Sequence, residues 1–202
     1  KPKSYVVSAK LDGTSGLYTT KGGEAKLYTR GDGLVGKDIT HLIPYLKLPD
    51  PKAFPDLVIR GEFVISKKNF DAHFKGKGWK NARNTVAGLI NKLKGSEEHT
   101  HIDYVGYEVM VPELTPSKQM EMMQKTLKMH TVKNQTVTDL SNAILSKLLV
   151  DWRSNYTYEI DGIIVVNDEI YPRPKKNPDY AFAFKMVISD QVAEVKVVDI
   201  IW

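Results

Sequence analysis

Cysteine is absent from all 202 residues. That absence removes disulfide frameworks and thiolate metal sites from consideration and fits an intracellular protein. Equally missing is any apolar run near the roughly 18 residues that a membrane span needs, and no charged-then-apolar leader opens the chain. Acidic residues are outnumbered, with 24 Asp and Glu against 29 Lys and Arg, a formal charge of +5. Such a modest basic excess suits a polyanionic partner without demonstrating one. With 42% hydrophobic residues the chain can bury a sizeable core, and its length suits one domain. The expectation is a soluble, intracellular monomer with no membrane association.

What is present can be arranged around Ser8-Ala9-Lys10-Leu11-Asp12-Gly13, a strand-end lysine followed by a carboxylate and a glycine. Alternation over Tyr5 to Lys10 puts Val6, Ser8 and Lys10 on one face, so Ser8 looks into whatever pocket Lys10 looks into. Taken alone, Lys-x-Asp-Gly reads equally as an exposed hairpin turn. A lysine becomes a nucleophile only when its amine is neutral, and an ordinary lysine with a pKa of about 10.4 is protonated near neutrality. A nucleophilic site therefore needs other charged groups, or burial, around Lys10.

The chain supplies charges in unusual places. Further strands are predicted at 16–20 and 24–30, so the first thirty residues read as an antiparallel meander, followed by the turn Arg30-Gly31-Asp32-Gly33. Four prolines between Leu42 and Pro55 permit no more than a short helix. The strand predicted over 57–66 carries Arg60 and Glu62 on an otherwise apolar face, which is costly unless the charges are paired or used. A helix over 67–74 leads into the basic loop Lys75-Gly76-Lys77-Gly78-Trp79-Lys80. In the helix predicted over 81–93, Arg83 opposes the helix dipole in the first turn, which calls for a specific anionic partner. A strand over 101–111 turns Tyr104 and Tyr107 to opposite faces. Helices at 117–130 and 139–152 are predicted to cover one side of the sheet, with the methionines among them as core filler. Asp161-Gly162 opens a buried strand over 158–167, Lys185 is the one charge in an apolar strand over 181–187, and a last strand is predicted over 193–202.

In this order the features resemble the nucleotidyltransferase domain of the covalent ligase and capping superfamily, and most of all the NAD-dependent DNA ligases. The likeness runs through AKLDG (9–13), TRGDGLVGKDIT (29–40), IRGEFVISKKNF (59–70), NARNTVAG (81–88), EIDGIIV (159–165), AFAFKM (181–186) and VVDIIW (197–202). It implies an α+β fold of mainly antiparallel sheets flanked by helices, with a nucleotidyltransferase (ATP-grasp-like) topology over 1–202. A nicotinamide-binding domain before the chain and an OB-fold after it are implied as well. Further implied are NAD and Mg²⁺ as cofactors, nicked double-stranded DNA as partner, and a lysyl-AMP intermediate in replication or repair. By the same resemblance Lys10 is the nucleophile and Lys185 binds the α-phosphate and helps keep Lys10 deprotonated. Asp12 and Arg30 position the adenylate, with Ser8 and Leu11 beside it. Glu62 holds the ribose, Tyr104 stacks on adenine, Arg83 meets a nucleotide or nick phosphate, and Asp161, with Glu62, organises metal.

Three positions depart from the family's pattern. Ser8 stands where a glutamate that contacts adenine is usual, Val166 where a lysine is usual, and Asn91 where a second arginine is usual, with Lys92 beside it. Two other readings follow, a binding module whose catalysis has weakened and an ATP-dependent polynucleotide ligase. Against the second, Thr14, Ser15 and Gly16 stand where ATP-dependent relatives carry an arginine.

Overall fold

The protein is described by a computed structural model covering residues 3–31, 35–172 and 180–185. Two four-stranded antiparallel sheets with flanking helices make up an α+β fold. The first sheet runs β6-β1-β7-β8, built from Asn134–Val137 (β6), Tyr5–Leu11 (β1), Ile160–Asn167 (β7) and Ala181–Phe184 (β8). The second runs β3-β2-β4-β5, from Lys26–Thr29 (β3), Thr14–Thr19 (β2), Val58–Ile65 (β4) and Ile102–Val111 (β5).

The partition corrects the predicted meander. β2 and β3 pair as expected, but β1 joins β7 and β6 instead of β2. Asp12 and Gly13 carry the chain from one sheet to the other. A side chain on Gly13 would collide with the Phe63 carbonyl and Val64, so only glycine lets this crossing lie against β4. One continuous core serves both sheets: Val7 and Ile163 from the first, Leu27, Ile59 and Phe63 from the second are all fully buried.

The helices follow their caps and apolar stripes. α1 (Lys67–His73) is capped by Ser66, whose hydroxyl accepts from Asn69 N, and α2 (Ala82–Ile90) by Asn81, which accepts from Asn84 N. Val86, Leu89 and Ile90 bury α2 against β4 and β2. The helices expected on one side of a sheet in fact serve two. α3 (Pro116–Glu121), continued by a π-helical turn over Met122–Thr126, packs on β5, while α4 (Asn142–Asn155) packs on β7. The short helix allowed in the proline-broken stretch is a 3₁₀ turn over Thr40–Tyr45, which contains Pro44. β6 is a strand that the sequence did not announce. No helix among the described residues is long and apolar enough to cross a membrane. Asp32 and Gly33 of the turn, Met186 and Val187 of the strand after Tyr180, and the strand predicted over 193–202 lie outside the described residues.

Thr20 fixes the second sheet to its loop. Its buried hydroxyl donates to Phe54 O at 2.6 Å and accepts from Leu57 N at 2.9 Å. Thr20→Val keeps the shape but strands both backbone groups, so a loss of about 1–3 kcal/mol in urea unfolding is expected. A loss below about 0.5 kcal/mol would mean that water takes over both bonds.

Candidate active site

The cleft between the sheets holds a cavity of about 1190 Å³ whose lining includes Ser8, Lys10, Leu11, Arg30, Glu62, Arg83 and Tyr107. Its charged end is built on irregularities in the ladders. Between Lys10 and Leu11 the β1–β7 register shifts, pairing Lys10 with Gly162 and Leu11 with Ile160. Asp161 is thereby the extra residue of a β-bulge, a device that re-aims a side chain. Lys10 Nζ stands 3.2 Å from Asp161 Oδ1 and 3.4 Å from Oδ2, and its hydrogen bond goes to Oδ2. Lys185, just past the end of β8, places its Nζ 3.6 Å from the same Oδ2. Two ammonium groups thus converge on one carboxylate, while its buried Oδ1 has no hydrogen-bond partner.

On the facing sheet, Glu62 points from β4 into the cleft. Burial pushes its carboxyl up from 4.5 to about 7, against the opposing pull of Lys10, the Gly13 N–H and Arg83, while the nearby Asp161 charge adds to the rise. Arg60 does not pair with Glu62. Its guanidinium lies 3.7 Å from Glu108 on β5, so the two charges of β4 have separate roles. Arg83, in the first turn of α2, has the anionic partner that its dipole-opposed position calls for: its Nη1 donates to Asp12 Oδ1 at 3.3 Å. That contact ties the helix to the crossing after β1. Arg30 lies exposed on the cavity rim, its N–H bonded to Ser15 O at 3.1 Å.

Tyr104 requires a correction. It is fully buried, its hydroxyl lies 3.0 Å from both Gly16 O and Ile59 O, and its ring stands 5.0 Å from that of Phe63. A ring so enclosed has no face for a ligand. Tyr107, by contrast, lines the cavity, as do Tyr171 and Tyr180, and its hydroxyl shares a 2.8 Å hydrogen bond with Ser15. Tyr107 is again a bulge residue, lying between the pairs Gly61–Gly106 and Arg60–Glu108. Its signal in the sequence was only its odd spacing from Tyr104, which placed the two rings on opposite faces without saying which face was the cleft.

A magnesium ion fits the chemistry of this end. Mg²⁺ is usually held by one or two carboxylates together with substrate phosphates and waters, and Glu62 and Asp161 lie at this end, the Asp161 Oδ1 accepting no hydrogen bond although Lys10 Nζ is 3.2 Å away. Among the described residues no group of three or more His, Asp or Glu side chains forms a metal cage of protein alone.

A family model for the NAD-dependent DNA ligase adenylation domain matches residues 1–188. The chain belongs to that family. Among curated relatives, a DNA ligase of Acanthamoeba polyphaga mimivirus is 39% identical over 189 residues, covering 90% of this chain and 29% of its own length. A putative DNA ligase of Invertebrate iridescent virus 6 is 32% identical, covering 98% of this chain and 34% of its own. The adenylation domain described here therefore spans about a third of these relatives. The ligase domain of LigD from M. tuberculosis shares the fold, with a TM-score of 0.55 at 12% identity over 90% of this chain and 53% of that one. Within the family's domain, Lys10, Asp161 and Lys185 come from three neighbouring strands or strand ends of the first sheet, and Glu62 faces them from the second.

Proposed function

We propose that this domain is the adenylating unit of an NAD-dependent DNA ligase. The observation that carries the reading is the convergence of Lys10 and Lys185 on Asp161, with Glu62 and the Asp12–Arg83 pair alongside. After its ammonium proton passes to solvent, Lys10 Nζ attacks the α-phosphorus of NAD, and the nitrogen releases a second proton as the phosphoramidate forms. A P–N bond forms, the bond from phosphorus to the bridging oxygen breaks, and its electron pair leaves with nicotinamide mononucleotide. The resulting lysyl-AMP then hands AMP to the 5′-phosphate of a DNA nick, and the 3′-hydroxyl displaces AMP to seal the strand.

Each displacement gathers negative charge at phosphorus, so positioned cations do most of the work. Lys185 moves from Asp161 to the α-phosphate when the nucleotide enters. Asp12, held by Arg83, and Arg30 position the adenylate, while Glu62 accepts from the ribose hydroxyls. Leu11 and Tyr107 bracket the nucleoside, Tyr107 taking the stacking role first given to Tyr104. Asp161 and Glu62 are the residues that would hold Mg²⁺, which when bound neutralises phosphate charge. Arg83 and the lysines of the 75–80 loop offer cations to the nicked duplex. The whole protein is read as an intracellular monomer acting in replication or repair.

The test is intact mass of the full-length protein after incubation with magnesium and either NAD or ATP. Addition of one AMP, about 330 Da, from NAD alone and mapping to Lys10 supports the reading. An adduct from ATP instead favours an ATP-dependent ligase. No adduct from either leaves a nucleic-acid-binding module, the reading favoured by the uncharged residues Ser8 and Val166 in the cavity wall.

A further inference from the structure

The cavity is charged unevenly. Lys10, Glu62 and Arg83 line one end. Of the other charged lining residues, Arg30, Glu113 and Glu169 are exposed, and Arg60 and Glu108 are paired with each other. The wall behind Lys10, where β1 and β7 run side by side, carries no charge at all. It is made by Ser8, its register partner Ile164, and Val166 one pleat further on, and it is continued by Ala181, the partner of Val166 on β8. Ser8 and Lys10 share a face of β1, so this wall lies within reach of the base of a nucleotide whose phosphate is at Lys10. Ser8 is 7% exposed, and of these four residues it alone has a polar side chain; Tyr171 and Tyr180 line the cavity as well. Gln119, also in the lining, is already committed: its amide accepts from Val109 N and donates to Leu114 O.

A hydroxyl is both donor and acceptor and rotates to suit its partner, whereas a carboxylate only accepts and an ammonium only donates. Adenine presents an amino donor at C6 beside an acceptor at N1, and 6-oxopurines present the reverse. A site with a fixed donor or acceptor rejects the wrong pattern by several powers of ten, because it leaves a buried polar group unpaired. A rotating hydroxyl can accept from the C6 amino group of one base or donate to the C6 oxygen of the other, and leaves no fixed protein donor or acceptor unpaired with either.

We propose that Ser8 determines base selectivity in this pocket, and that its neutral wall accepts 6-oxopurine nucleotides as well as adenine nucleotides. This rests on the adenylation reading above. The experiment compares NAD with nicotinamide hypoxanthine dinucleotide as donors to the full-length protein with magnesium, following labelling of Lys10 by intact mass. Hypoxanthine is the probe because, unlike guanine, it adds no amino group at C2. Labelling efficiencies within about tenfold of each other are expected. Ser8→Ala removes the hydroxyl from both complexes and is expected to lower both efficiencies by a similar factor of about 3–10, leaving their ratio unchanged. Ser8→Glu introduces a pure acceptor and is expected to favour NAD by at least about 100-fold. Rejection of the hypoxanthine donor by more than about 100-fold in the unaltered protein would overturn the proposal while leaving the adenylation reading intact. So would a Ser8→Ala protein that labels at the original rate with both donors. Labelling by neither donor would overturn both.

Discussion

Lys10→Arg is expected to abolish labelling by NAD, a loss of at least about 10⁴-fold, in a protein that still folds and still binds AMP. Arginine keeps the positive charge that faces Asp161, so the local ion pair survives in kind. What it loses is the ability to become neutral, since a guanidinium stays protonated throughout the accessible pH range and offers no lone pair to phosphorus. The substitution thus separates binding from chemistry within one residue. Binding measured by calorimetry should change by less than about tenfold, while intact mass should show no adduct. A residual adduct above one part in a thousand would assign the nucleophile to another residue, with Lys185, on the same carboxylate, the first to test.

Glu62→Gln is expected to alter the pH dependence of stability more than any other change at the cleft. A carboxyl at 4.5 in the unfolded chain and at about 7 in the fold binds its proton more tightly when folded. Its contribution to stability is fully present below pH 4.5, declines as the pH rises from 4.5 to 7, and is gone above that. That gap corresponds to on the order of 3 kcal/mol at pH 8. Glutamine has no charge to desolvate, so the variant should gain up to that amount over the original protein at pH 8 and little at pH 4. Urea unfolding at the two pH values checks it. Equal effects at both would mean that Lys10 and Arg83 hold the Glu62 carboxylate ionised despite its burial. If Glu62 has the ribose-binding role proposed above, the same variant binds the nucleotide more weakly, and the stability is gained at the expense of binding.

The outcome for individual residues shows which features of the site can be read from sequence. The alternation of β1 put Ser8 and Lys10 on one face, and both do line the cleft. Arg83 drew attention by sitting against its helix dipole, and its partner is Asp12. Charges on apolar strands marked Arg60 and Glu62, and the cleft lies beside both. These signals are local, and local physics produced them. The division of the strands into two sheets was not legible, because Asp12-Gly13 looks like a hairpin turn and only pairing with β7, some 150 residues away in the Lys10–Asp161 contact, sets β1 apart. β6 went unnoticed because Asn-Gln-Thr-Val has little apolar content, as suits a strand at a sheet edge. That Tyr104 belongs to the core and Tyr107 to the cavity wall was not legible for a related reason. Strand periodicity distinguishes two faces, and only the tertiary fold says which is core.

The bulges at Asp161 and Tyr107 also bear on how a sheet can make a small reaction centre. A regular ladder is a lattice, delivering side chains to one surface about 7 Å apart along a strand and about 5 Å apart across strands. A phosphorus atom and its oxygens are smaller than one cell of that lattice, so flawless pleating would leave it touched by too few groups. A bulge acts as a dislocation, slipping one residue out of step so that Asp161 falls beneath Lys10 in place of the far side of the sheet. Deleting a residue at either bulge would make the sheet more regular and spread these side chains beyond the reach of a single atom.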